Sequence, residues 1–90
     1  MPHIAKLVTV CAINKVPDHL MSFVNFHAQL EGVEPEENEK VAILQVEGTQ
    51  SFSVFFIEHD LTIEKVEDRL KAQDTELNAE ARNILLQYLK

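Results

Sequence analysis

Apolar positions along the chain change period several times, and each change marks an element. Residues 4–13, IAKLVTVCAI, are β-branched and apolar, which predicts a strand. Ile4, Lys6, Val8, Val10 and Ala12 share one face; Ala5, Leu7, Thr9, Cys11 and Ile13 share the other. NKVPD then turns the chain. Pro17 suits a first helical turn, where its missing N–H has no partner, and Asp18 suits a cap. From Val16 to Leu30 the period becomes helical: Val16, Leu20, Phe23, Val24 and Leu30 form a stripe, with Asp18, Ser22, Asn25 and Gln29 opposite. Gly32 is a natural stop. The acidic run 31–40, EGVEPEENEK, reads as a mobile loop. VAILQV (41–46) and SFSVFFIE (51–58) are two strands joined by EGTQ, with Gly48 at the tight position of a hairpin. Asp60 is placed to cap the helix that follows, over 61–72, whose narrow stripe is Ile63, Val66 and Leu70, with an i,i+4 pair between Glu67 and Lys71. Caps at Asp74 and Asn78 predict a break near 73–77. A last helix then runs over 79–89, facing the core with Ala81, Ile84, Leu85 and Tyr88. One long helix from 61 to 89 is the alternative.

The predicted order is β-α-β-β-α-α in a single domain, 1–90: an α+β two-layer sandwich with its helices on one face of the sheet. The third strand, FSVFFI, is the most apolar on both faces and takes the middle. That gives a three-stranded antiparallel sheet of order 1-3-2, with a right-handed crossover through the first helix. This topology resembles the ferredoxin-like fold, a split β-α-β unit lacking its last strand. The opening segment IAKLVTVCAINKVPDHLMSF, a strand, a turn with proline and an amphipathic helix, is similar to the start of dimeric α+β-barrel proteins. The sheet's second face would then carry apolar residues of strands 1 and 3 with nothing over them, and such a face predicts a homodimer.

Composition narrows the function. The chain is 46% hydrophobic and 26% charged, ordinary globular content, with only two glycines and three prolines. Its formal charge is −7, concentrated in residues 31–40 and 58–80. No basic stripe exists for a nucleic-acid backbone, so direct DNA or RNA binding is not expected. No signal segment or membrane span is read, and a reducing cytoplasm is the expected compartment. The single cysteine, Cys11, makes no internal disulfide and sits among apolar residues.

Few residues suggest chemistry. His27 falls within the apolar stripe of the first helix, as a core histidine or as the polar floor of a pocket. Such a pocket would lie between helix and sheet and gather His27, Cys11, Phe23 and Phe56. His59-Asp60 ends a strand, and capping by Asp60 is the simpler reading of the pair. His19 and His27 are eight apart, too far for one metal-binding helix face, and there is no CxxC. Cys11 has no setting that would lower its thiol pKa. Nucleotide-loop and nucleophile-elbow motifs are missing. No metal, cofactor or catalytic group is therefore expected. The acids Glu34, Glu36, Glu37 and Glu39, with Glu64, Glu67 and Asp68 on the next helix, form candidate surfaces for a protein partner with a basic surface.

Three functions are consistent with this pattern. The first is a small acidic homodimeric interaction or regulatory module without catalysis. The second is a small-molecule-binding protein or simple enzyme of the dimeric α+β-barrel style, with an apolar pocket near His27. The third is an acidic nucleic-acid mimic that inhibits a basic protein.

Overall fold

The structure is a computed structural model and describes residues 1–89. It is α+β, with seven elements: β1 His3–Ala12, α1 Met21–Glu31, β2 Lys40–Val46, β3 Phe52–Phe56, α2 Ile63–Lys71, β4 Thr75–Leu77 and α3 Ala79–Leu86. Two short 3-10 turns, Ile13–Lys15 and Asp18–Leu20, precede α1. The sheet has four strands in the order β3-β2-β1-β4. β1 pairs antiparallel with β2, and β2 with β3, while β4 runs parallel to β1.

The expected three-stranded antiparallel sheet of order 1-3-2 is thus replaced by a mixed four-stranded one. β1 and β2 are direct antiparallel neighbours, so no split β-α-β crossover joins them. The segment 73–77, expected as a break between helices, forms a strand as it breaks. His3 N–H donates to the Asp74 carbonyl at 3.0 Å, and Asn78 N–H to the Ala5 carbonyl at 2.8 Å, which fixes β4 beside β1.

Helices cover both faces of the sheet, where one was expected. On one face α2 and α3 bury Ile63, Val66, Leu70, Ala81 and Leu85 against Ala5, Ala42, Leu44 and Phe55. On the other, Leu20 and Val24 pack with Val16 against Val41, Ile43, Val54 and Phe56. β2 lies between the two clusters, and Val41, Ala42, Ile43 and Leu44 in succession are at most 1% exposed. Burying each of the larger side chains contributes roughly 1.5–3 kcal/mol. The apolar second face that predicted a homodimer is therefore covered within the chain. It also follows that β3 need not be central: it is an edge strand, apolar on both sides because a helix lies over each.

β1 shows why its two faces read alike. Its register with β2 shifts between Leu7 and Thr9, so Val8 is an extra residue, 42% exposed. A bulge of this kind reverses the alternation. Ala5, Leu7 and Val10 then share the α2/α3 side, and Thr9 and Cys11 the α1 side.

Both sheet edges are guarded. β3 exchanges its ladder bonds with β2 through Ser53 and Phe55, so the backbones of Phe52, Val54 and Phe56 point outward. Over that edge the Arg69 guanidinium of α2 stacks 4.8 Å from the Phe55 ring centroid and forms a two-toothed pair with Glu31 of α1, with one contact at 3.2 Å. The pair spans from the helix on one face to the helix on the other. The opposite edge strand, β4, has only three residues, a common way of limiting strand addition.

Helix ends depart from expectation at three aspartates: Asp18 caps neither the turn nor α1, which has no side-chain cap, Asp74 caps no helix, and Asp60 is placed differently too. Asp60 does not cap α2. Its φ is +57°, a left-handed conformation, and its carbonyl accepts from Lys65 Nζ at 2.8 Å. Thr62 is the cap: its Oγ1 accepts from the Lys65 N–H at 3.2 Å. Asn78 caps α3 as expected, through the Glu80 and Ala81 N–H groups. Gly48 takes φ +77° in the hairpin, and Gly32 takes φ +68° as it ends α1. Removing the Thr62 hydroxyl (Thr62→Ala) should cost about 1 kcal/mol. Asp60→Gly should leave stability unchanged or raise it, because glycine adopts that φ freely. Urea unfolding of both variants checks this; loss in Asp60→Gly alone would return the cap to Asp60.

Candidate functional site: an uncharged aromatic face beside His27

α1 carries two apolar stripes. Leu20, in the turn before it, with Val24 and His27 faces the sheet and is buried. Phe23, Phe26 and Leu30 follow an i, i+3, i+7 spacing and lie within about 60° of one another on the wheel, at 3.6 residues per turn. This second stripe looks outward. Phe26 is 60% and Leu30 69% exposed, while Phe23 is half-buried. Leu30 was expected in the core. The two 3-10 turns reset the helical phase, so counting from Val16 as though one helix ran to Leu30 places it on the wrong side.

A groove of about 430 Å³ runs between this stripe and the tip of the β2–β3 hairpin, lined by Ser22, Phe23, Phe26, His27, Ser51 and Phe52, among others. Its walls are aromatic. Phe23 and Phe52 rings lie 5.0 Å apart, tilted 55°, and Phe26 meets His27 edge-on at 5.4 Å. Residues 19–30, HLMSFVNFHAQL, contain no acid, lysine or arginine, and nor does the hairpin tip 48–53. In a chain of charge −7 this face is neutral.

His27 sits where the two stripes meet. It is buried, and its Nδ1 is sealed from solvent without a hydrogen-bond partner. Burial pushes its proton affinity below the ordinary value near 6.5. The Phe52 backbone opposes that shift, the nearby Arg69 guanidinium adds to it, and the Glu31 carboxylate opposes it. His27 is consequently neutral at pH 7.

The other expected pocket residues are placed differently. Cys11, Phe23 and Phe56 all belong to the α1-side core, with Cys11 and Phe56 flanking Val41 across one row of the sheet. Neither Cys11 nor Phe56 lines the His27 groove, so of the four only His27 and Phe23 form a shared surface. What sequence reasoning missed is Phe26, and Phe52 across the groove with its ring against Phe23; the uncharged run around Phe26 was the available signal.

The acidic candidates separate into two places. Glu64, Glu67 and Asp68 of α2 come together with Glu76 of β4 around a second groove of about 430 Å³. Glu34, Glu36, Glu37 and Glu39 lie in the 31–40 segment, which is held by several bonds. Asn14 N–H donates to the Glu37 carbonyl at 2.9 Å, Ile13 N–H to that of Glu39 at 3.0 Å, and Glu36 N–H to Glu39 Oε1 at 2.8 Å. That Glu36 amide and His59 Nε2, 3.1 Å from Glu39, lower the Glu39 pKa. His59 thus pairs with Glu39, not with Asp60. Glu67 is engaged by Arg82 Nε at 3.3 Å. Among the described residues, no group of three or more His, Cys, Asp or Glu could hold a metal ion, and no helix is long and apolar enough to cross a membrane.

Residues 3–89 match the model of a family described as a domain of unknown function, DUF749, and the chain belongs to that family. It is similar to an uncharacterized protein, MJ0858, of Methanocaldococcus jannaschii, at 27% identity over 88 residues, covering 97% of this chain and 78% of that protein. No solved structure matches it.

The unpartnered Nδ1 gives a stability prediction. An unsatisfied buried polar group costs about 1–3 kcal/mol, so His27→Leu should raise stability at pH 7 by about 1 kcal/mol, seen as a melting point higher by about 4–8 °C. The folded state holds a proton at His27 less tightly than the unfolded one. Wild-type stability should therefore fall as pH drops below about 6.5, down to the lowered folded value, and the leucine variant should lose that slope. Thermal melts from about pH 5 to pH 8 check both; a leucine variant that melts lower and keeps the slope would contradict them.

Proposed function

We propose that this member of the DUF749 family is a small interaction module without catalytic activity, working through the uncharged aromatic face of α1 and the β2–β3 hairpin. The observation that carries this reading is the exposure of Phe26 and Leu30 on a helix whose other apolar stripe already covers the sheet. Contiguous exposed aromatic surface in a small soluble fold usually marks a contact site, and aromatic residues are enriched at the centres of such contacts. The groove is large enough for a small ligand. His27 Nδ1 is sealed from solvent and so out of reach of a solute, however, which favours a macromolecular contact over a small-molecule site. Three acids are also occupied inside the chain, Glu31 by Arg69, Glu39 by His59 and Glu67 by Arg82, which weakens the case for an acidic surface offered to a basic protein.

A photo-crosslinking amino acid at position 26 or 30, expressed in cells, should give discrete adducts on irradiation. The same residue at Glu36 or Glu64 should give none. Adducts from the acidic positions alone would move the contact site to the carboxylates and end this reading.

A further inference from the structure

Resting on that reading, we propose that the occupant of this face is a second copy of the same chain, with the two α1 helices packed antiparallel about a two-fold axis between Phe26 and His27. Charge is the first argument. Two copies carry −7 each, and any contact through the acidic surfaces would set carboxylates against carboxylates. From His19 to Leu30, and again from Gly48 to Ser53, the chain presents no formal charge, and His27 is held neutral. Glu31, at the end of α1, is already paired with Arg69. Self-association through this face therefore costs no like-charge contact, whereas the exposed Tyr88 lies in a groove it shares with Glu58, Asp60 and Lys65.

Geometry is the second argument. A two-fold contact must be self-complementary. Phe23 and Leu30 are seven residues apart and flank Phe26 and His27 symmetrically. In an antiparallel pair, Phe23 meets the partner's Leu30, Leu30 meets the partner's Phe23, and the two Phe26 side chains meet beside the axis, with each His27 buried behind its own helix. The i, i+3, i+7 spacing of Phe23, Phe26 and Leu30 is that of a helix–helix seam. Phe52, packed 5.0 Å from Phe23, widens each half of the contact with the hairpin tip.

Size sets the strength. An 11-residue helix is about 16 Å long. With the hairpin it offers less than the ~800 Å² per partner of a standard interface. The dimer should therefore be reversible, with a dissociation constant of roughly ten to a few hundred micromolar.

The test is molar mass by light scattering and sedimentation equilibrium on the purified full chain, from about 5 to about 500 µM, at low and high salt. The mass should rise from 10.3 kDa toward twice that value with concentration. Salt should strengthen the association or leave it unchanged, because it screens the repulsion between two acidic chains. Phe26→Ser and Leu30→Ser should each weaken it at least tenfold without lowering the melting point, since both side chains are exposed, and Glu36→Ser should have no effect. A mass that stays at 10.3 kDa throughout, serine variants that associate like wild type, or a dimer that salt dissolves would each overturn the proposal. If the purified chain is monomeric while position 26 still crosslinks in cells to a different protein, the interaction face stands and the second copy does not.

Discussion

Val41-Ala42-Ile43-Leu44 is the constraint from which the rest follows. Four consecutive residues of a strand point to alternate faces, and all four are sealed from water. A strand of this kind forces a cover on each side of the sheet, which this 90-residue chain supplies by dividing its helices. α1 takes one face; α2 and α3 take the other. That division lets the edge strand β3 be as apolar as a central one. It also creates the need for something that reaches around the edge, where the outward backbone of Phe52, Val54 and Phe56 would otherwise offer a template for strand addition. Arg69 fills that role. Its guanidinium lies over Phe55 and pairs with Glu31, joining the two helical layers across the strand they both cover. Exposed ion pairs contribute little singly, commonly under about 1 kcal/mol. Here the value of the pair is mainly positional.

Much of the secondary structure was legible, because it is written in side-chain period. The strands at 41–46 and 51–58, the hairpin glycine, the helix at 61–72 and the Asn78 cap all follow from local pattern. What was hidden has no side-chain signature. β4 is three residues held by backbone bonds to β1, and TEL shows neither alternation nor a β-branched run. The bulge at Val8 reverses the face of every later residue of β1 without altering its composition. The inference that failed most consequentially was a physical one. Apolarity on both faces does not itself place a strand in the middle of the sheet; it reports only that both faces are covered. Once β3 is moved to the edge and helices to both sides, the argument from a bare sheet face to a dimer disappears.

On α1 the sequence was legible in part. His27 and Phe23 were identified by their place in an apolar stripe, and they do lie together. Leu30 was assigned inward because the stripe was counted from Val16, through a segment that is not one helix. None of the acidic candidates is buried, but a sequence cannot show that Glu31, Glu39 and Glu67 are committed to Arg69, His59 and Arg82. Those pairings bring together residues 15 to 38 positions apart, and only the fold sets which carboxylates remain available.

The exposed stripe on α1 is a consequence of the same double-sided sheet. A rotation of the helix that buried Phe26 would lift Leu20 and Val24 out of the cluster with Val41, Ile43 and Val54, exchanging one apolar surface for another. The helix therefore has more apolar surface than its layer can use, and its orientation is fixed by the more demanding side. His27 marks the boundary. A histidine kept neutral by burial lets the sheet-facing and outward stripes run into each other without placing a charge at the junction, at the cost of an unpartnered Nδ1. A lysine or glutamate at this buried position would have to bring a full charge out of water, and would break the neutral surface.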